Sequence, residues 1–313
     1  MLTFLARRLG AGILLLLVIS LLTFVLLSIP HADVGRALLG QSAPQAAVDA
    51  KNASLGLDRS VLAQYGDWLS HAVRGDLGRS WFTGEDVWSA LGTRLPVTLS
   101  LVVGVTLVTA VLSLLLGVWA AVRGGLVDRC VQVLSVVGYA LPGFLVTLVV
   151  VLVFAVRLGW FPAIGYIPFT QSVSGWLSTI TLPVAALSVG AVAGVAQQVR
   201  GSVLDVLQRD FVRTLRARGL PPGRVLFRHV VRNASAPALT VLGLQFVGLL
   251  GGAVLVEQIF GLPGIGSMTV QYTTRGDVPV IMGLVMVSVA GVVVVNLLVD
   301  VLVGVLNPKA RVA

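Results

Sequence analysis

The chain is 313 residues long, 57% hydrophobic and only 11% charged, with 22 Lys and Arg against 13 Asp and Glu. That balance excludes an ordinary soluble domain and describes an integral membrane protein. Its single cysteine, Cys130, excludes an internal disulfide and any cysteine-rich metal or iron–sulfur site, and its simplest use is as a small packing residue near a helix end on the cytosolic side.

The chain opens on MLTFLARRLG and runs apolar to Ile29. The run is about 20 residues, longer than the apolar part of a signal peptide, and no A-x-A site follows. Residues 1–29 therefore predict an uncleaved transmembrane helix that starts in the cytosol. Residues 30–94 turn polar, with charges of both signs. Within them Leu62, Tyr65, Leu69 and Val73 fall at helical spacing, with Asp58 or Ser60 as the cap and Gly75 as the stop. This stretch is too long for a hairpin connection and predicts a small external subdomain. Trp68, Trp81 and Trp88 suit either stacking on a substrate or docking protein, or plain packing at the core or interface.

Five windows without charge follow, at 95–122, 130–156, roughly 177–199, 234–256 and 278–299. Each supplies about 20 residues, enough to cross a hydrocarbon core of roughly 30 Å. With the first helix they predict an all-α protein of six spans, five of them in a core over 95–306, with a short tail at 307–313. An even number returns both termini to one side. Arg7, Arg8, Arg123, Arg129, the arginines of the loop after the fourth span, Lys309 and Arg311 all fall there, against Asp128, Asp205 and Asp210 only. That side is the cytosol by the positive-inside rule. The net charge of +9 is thus topological rather than a nucleic-acid footprint. Pro142, Pro183 and Pro237 fall within or at the starts of spans and predict kinks; a first-turn Pro237 is equally well merely tolerated.

The loop at 200–236 is the most charged stretch. Arginines at 200, 209, 213, 216, 218, 224, 228 and 232 stand against Asp205 and Asp210. At about 2.5–3.5 kcal/mol for each arginine at a helix centre, it cannot lie in hydrocarbon. Val203, Val206, Leu207, Phe211 and Leu215 recur at spacings of three and four, predicting a helix with one apolar face. Gly219, Leu220, Pro221, Pro222 and Gly223 break it before VLFRHVV resumes the period. The expected product is a bent pair of short helices joined to two spans, the geometry of a mechanical coupler. A plain basic loop attracted to anionic lipid is the other reading.

Catalytic chemistry is missing. A phosphate-cradling loop needs G-x-x-x-x-G-K-[ST], but Ala50 precedes Lys51 and Pro308 precedes Lys309. A proton-driven carrier buries several titratable groups; only Asp300 lies inside a window, with Asn296 one turn before it, while Glu257 borders the outer end of the fifth span. Asn296 and Asp300 share a helix face and suit a structural cross-link or a wet cavity. The histidines, at 31, 71 and 229, are too scattered for a metal site.

FVRTLRARGL (211–220) followed by RVLFRHVVRNASAPALT (224–240) resembles the cytoplasmic loop of inner-membrane permease subunits of ABC importers, specifically the B-type permease of the dipeptide, oligopeptide and nickel branch. SLGLDRSVLAQYGDWL, RGDLGRSW, YALPGF, LGWFPAIGYIP, QIFGLPGIGSMTVQYTTRGDVP and NLLVDVLVGVLNPKAR are similar to other signatures of that branch, so the resemblance covers most of the chain. Arg213, Thr214 and Leu215 stand where the wider family has Glu-Ala-Ala and the branch has Arg-Thr-Ala; Leu215 puts a bulkier side chain at the expected contact. Asn307 stands where many relatives have aspartate.

The resemblance implies a type I ABC importer permease fold with both termini cytosolic, in the bacterial inner membrane. It implies that Arg209, Arg213, Thr214, Leu215, Arg216, Ala217, Arg218, Gly219, Leu220, Arg224, Arg228 and His229 form the surface coupled to an ATPase. The implied partners are a second permease, two cytosolic ATPases that hold ATP and Mg, and an external substrate-binding protein, with membrane lipid around them and no cofactor in this chain. Peptides are the expected cargo, with nickel or another small solute as the alternative. A lone secondary carrier and a non-transporting scaffold are the rival functions.

Overall fold

The computed structural model describes residues 2–29 and 34–306. His31 and the tail 307–313, with Asn307, Lys309 and Arg311, lie outside the described residues. Among the described residues the chain is helical throughout, with no strand beyond one isolated bridge, Arg79 to Asp86. In order, the helices are α1 (Leu2–Ser28), α2 (Val34–Leu39), α3 (Gln45–Ser54), α4 (Val61–Val73), α5 (Val87–Arg123), α6 (Gly125–Ala140) and α7 (Gly143–Val150), which a π-helical turn, Val151–Arg157, prolongs. Then come α8 (Val173–Leu207), α9 (Asp210–Ala217), α10 (Pro222–Arg224), a second π-helical turn (Val225–Val230), α11 (Val231–Ile259), α12 (Ile265–Arg275) and α13 (Val278–Leu306).

Five helical stretches among the described residues are long and apolar enough to cross a membrane: Ala6–Ser28, Val87–Arg123, Val173–Leu207, Pro222–Ile259 and Val278–Val305. The predicted window at 130–156 is not one straight helix. It divides into Gly125–Ala140 and Gly143–Arg157, which meet at 97°. Pro142 is the cause: it has no N–H to continue α6, and it drives Leu141 into an extended conformation with ψ 126°. A kink was expected here; the break is far sharper. Pro96, Pro183 and Pro237 sit inside α5, α8 and α11.

The chain forms two compact units, one of Val97–Pro263 and the chain from Val294 onward, the other of Leu2–Pro96 and Gly264–Val293. In the first, Leu101, Val105, Ile180, Phe246, Leu249 and Phe260 make one buried cluster. Small residues let its helices approach: a Cβ on Gly117 would meet Val199 at 2.7 Å and the Ala196 carbonyl at 2.8 Å. The aromatic segment before α8 is pinned by a hydrogen bond from Gly165 N to Phe260 O (3.0 Å) and by Tyr166 Oη against Ser100 Oγ (3.2 Å). Buried Thr98 donates to Glu257 Oε1 at 2.6 Å.

In the second unit, Leu77, Val87, Leu91, Met268, Tyr272 and Ile281 form the core. Ser60 caps α4 as expected, accepting from Ala63 N at 3.4 Å. The inward face of α4 keeps Tyr65 and Leu69 of the predicted set but not Leu62 and Val73, which are 71% and 80% exposed. Trp68 takes their place: Tyr65 meets Ser20 through its hydroxyl (2.9 Å) and stacks on Trp68, which packs against the core. Packing is thus the use of Trp68, while Trp88 is half-exposed and donates its indole N–H to Gly75 O at 2.7 Å. Cys130 is exposed in the second turn of α6, so it is not the packing residue expected. Large apolar side chains stand exposed along α1, α5 and α6, with Leu14 at 63%, Leu107 at 62% and Leu134 at 70%, as a bilayer requires.

Candidate coupling surface

The arginine-rich stretch is built on an extension of α8. That helix runs on through Leu207, past the end of the charge-free window, so Val203 and Val206 belong to it rather than to a separate short arm. The predicted first arm is therefore cut in two. Arg209 adopts an extended backbone (ψ 146°), and a new helix, α9, starts with Asp210 in its first turn, where a carboxylate suits the positive end of the helix dipole.

α9 ends in the predicted corner. Gly219 has φ +77°, a conformation that only glycine takes without strain. Its N–H donates to Arg216 O at 2.9 Å, and Leu220 N donates to Leu215 O at 3.3 Å, the paired bonds of a Schellman turn. Leu215 and Leu220, the two positions whose side chains commonly meet in such a turn, are both half-buried against one cluster. Leu215, which departs from the Arg-Thr-Ala pattern, thus packs on the chain's own core. After the corner, Pro221 and Pro222 start α10, and the wider π-helical turn carries the chain into α11.

The bend has a buried side and an exposed one. Val212 and Val230 are fully buried and Val225 nearly so, in a cluster with Val203 and Val206 of α8 and Ala234 of α11. Arg209, Arg213, Thr214, Arg216, Ala217, Arg218, Gly219, Arg224 and Arg228 are exposed, and His229 is half-buried. Phe227, at 70% exposed, and Phe211, at 37%, stand among these cations. Sequence reasoning did not single out Phe227, because its period matched a buried face. The ion pair of Arg213 with Asp210, 3.6 Å apart and almost fully solvated, neutralises little. The result is a cationic, partly aromatic surface seated on the ends of two long apolar helices.

Arg200 is different from the other loop arginines. Its guanidinium grips Asp128 with two nitrogens, Nε to Oδ1 and Nη2 to Oδ2 (2.6 Å), and Gln132 donates to the same carboxylate at 2.9 Å. It ties α6 to α8 instead of adding to the exposed charge. Asn296 is exposed and Asp300 half-buried, both on α13, so they are not enclosed together as a polar pair. Two buried carboxylates each have a hydroxyl partner: Glu257 with Thr98, and Asp277, which sequence reasoning did not single out, with Ser80 at 2.5 Å. The signal was an isolated acid beside an apolar run; the partners, 159 and 197 residues away, are set by tertiary structure.

Residues 113–312 match the family described as "Binding-protein-dependent transport system inner membrane component", and residues 1–102 match its N-terminal counterpart. The chain belongs to that family. This permease is 37% identical over 334 residues to the di/tripeptide transport system permease protein DppB of Pseudomonas aeruginosa (strain UCBPP-PA14), with 99% of each chain covered. It is 37% identical over 325 residues to the oligopeptide transport system permease protein OppB of Mycobacterium tuberculosis, again with 99% of each covered. A putative peptide transport system permease protein of Brucella abortus (strain 2308) is 36% identical over 306 residues, 97% of this chain and 98% of that one. Among solved structures, a chain of the MetNI methionine ABC transporter in an inward-facing form superposes with a TM-score of 0.53 at 17% identity. It covers 71% of this chain and 94% of that one, a likeness of fold. The permease is a multi-pass membrane component of an ABC transport system, as the resemblance implied.

Proposed function

We propose that this permease is one half of the translocation channel of an ATP-driven importer for peptides, worked from the cytosol through the surface around Gly219. Its full-length similarity to relatives named as peptide permeases supports the cargo. A second permease of similar fold completes the channel. Two cytosolic ATPases, which hold the ATP and Mg, grip Arg209, Arg213, Thr214, Arg216, Ala217, Arg218, Arg224, Arg228 and His229. Leu215, Gly219 and Leu220 hold the shape of the corner. Both termini lie in the cytosol, with the chain in the bacterial inner membrane. An external binding protein docks on residues 30–94 and 261–279 and delivers the peptide.

One observation carries the coupling: the valines under the exposed arginines share a buried cluster with the ends of α8 and α11. A packed interior transmits displacement rather than absorbing it. ATPase closure at the bend therefore moves both spans together and switches the paired permeases between inward- and outward-facing states. Replacing Gly219 with proline tests this, since the pyrrolidine ring fixes φ near −65° and cannot reach +77°. Uptake of a labelled dipeptide should be lost while the subunit stays in the membrane; uptake at the wild-type rate refutes the role. Competition of that uptake by unlabelled peptide, against competition by nickel ions, decides the cargo.

A further inference from the structure

Where α5, α8 and α11 meet, a cavity of about 160 Å³ is lined by Leu114 of α5, Val199 and Val203 of α8, and Ala238, Leu239 and Leu242 of α11. All of it lies within the unit that contains Val97–Pro263. Ser235 supplies the one hydroxyl of the lining, and that hydroxyl already donates to Arg232 O at 2.8 Å. Such a cavity offers a peptide no polar partner. Apolar cavities of about 150 Å³ instead stay dry and accept a benzene-sized group. The fitting occupant is hydrocarbon, about six carbons of it.

The charge beside the cavity says what carries that hydrocarbon. Arg232 lies three residues before Ser235 and seven before Leu239, both in the lining, so it stands on the same face of α11, at the end nearer the arginine-rich bend. It is exposed, and Arg228 adds a second exposed cation one turn further out. Neither makes an ion pair among the described residues. From Arg232 to Leu242 the helix rises about 15 Å, half of a hydrocarbon core of roughly 30 Å and so the depth of one leaflet. Over that depth the face passes from unpaired cations to an apolar lining, the complement of an anionic phospholipid from phosphate to chain. A side chain of a second permease would match the lining but not the cations.

We propose that this cavity and Arg232 bind one anionic phospholipid of the leaflet beside the bend, with the phosphate against the Arg232 guanidinium and part of one acyl chain in the cavity. Val203, Val231, Ala234 and Ala238 line the cavity and also pack in the cluster under the bend. A lodged chain thus fills a gap in the seat of the coupling surface. The site does not depend on which cargo is carried.

The test uses the full chain purified in detergent, with dioleoyl phosphatidylglycerol and dioleoyl phosphatidylcholine as probes and native mass spectrometry as the readout. Phosphatidylglycerol should bind about tenfold more tightly. Arg232→Gln should reduce that preference about fivefold, the effect of one arginine beside an anionic headgroup, and Arg232→Lys should keep most of it. Ala238→Phe, which fills the cavity, should weaken both lipids alike, with Ala238→Leu as the milder variant should the ring disturb folding. Equal binding of the two lipids, or a preference unchanged in R232Q, overturns the proposal. So does displacement of phosphatidylglycerol by an equal concentration of inorganic phosphate, which would reduce the site to one for a plain anion. In the assembled transporter, photo-reactive p-benzoylphenylalanine in place of Leu239 should capture phospholipid; capture of a second permease or of a second copy of this chain overturns the assignment.

Discussion

Asp128 and Arg200, 72 residues apart in sequence, meet as a two-point ion pair that joins α6 to α8. Both side chains are about four-fifths shielded, at 18% and 21% exposed, so removal of either leaves the other poorly solvated. Asp128→Ala or Arg200→Ala should each cost about 1–3 kcal/mol. A charge exchange, D128R with R200D, should recover part of that loss. Thermal unfolding of the detergent-purified chain reads both, and recovery absent from the exchange would show that packing, rather than pairing, is what each variant damages.

The seat of the coupling surface separates stability from contact. Val212 is fully buried beneath α9, whereas Arg213, its neighbour, has a side chain 76% exposed. Val212→Asp should unseat α9, because an unpaired carboxylate is driven out of an apolar cluster. It should abolish uptake even with ATPases still bound. Arg213→Ala should change stability by less than about 0.5 kcal/mol and act on ATPase affinity instead. Co-purification of the complex, together with uptake, distinguishes the two outcomes.

How much of this was readable from the residues follows from which forces were local. Gly219 was legible as a corner because a left-handed residue and two following prolines are local chemistry, and the spans were legible because an apolar window has few alternatives in a bilayer. The face of α4 was legible only in part: Tyr65 and Leu69 turn inward as their spacing implies, but Trp68 replaces Leu62 and Val73, because Tyr65 meets Phe24 and Trp68 meets the core, contacts that only folding brings near. The end of α8 was missed for a related reason. Its last turns carry Arg200 and Asp205 on the polar side of a helix whose other side stays buried, so charge marked the end of the apolar window but not the end of the helix. The 97° break shows the converse, a local proline signal whose magnitude the sequence did not supply.

Asp277 is fully buried and accepts from Ser80 Oγ at 2.5 Å and from Trp81 N at 3.3 Å. Ser80 Oγ in turn receives the N–H groups of Phe82 and Thr83, at 3.3 and 3.0 Å. One carboxylate thus organises a turn that precedes α5. Asp277→Ala should cost about 1–3 kcal/mol and raise amide exchange across residues 80–84 selectively. Ser80→Ala should produce the same pattern; protection unchanged in both variants would contradict the assignment.

Two glycines of α5 should respond to alanine with opposite signs. At Gly117 the added methyl would sit 2.7 Å from Val199 Cβ and 2.8 Å from the Ala196 carbonyl. Backbone cannot step aside as a flexible side chain does, so α5 and α8 must separate, at about 1–3 kcal/mol. At Gly92 nothing lies within 4 Å of the new atom, and alanine should stabilise the helix by about 0.5–1 kcal/mol through the entropy that glycine loses on folding. The melting temperature of the purified chain should therefore fall for G117A and rise for G92A. Equal and small shifts would mean that the close approach of α5 to α8 does not hold the unit together and that α8 does not move as the packed body that coupling requires.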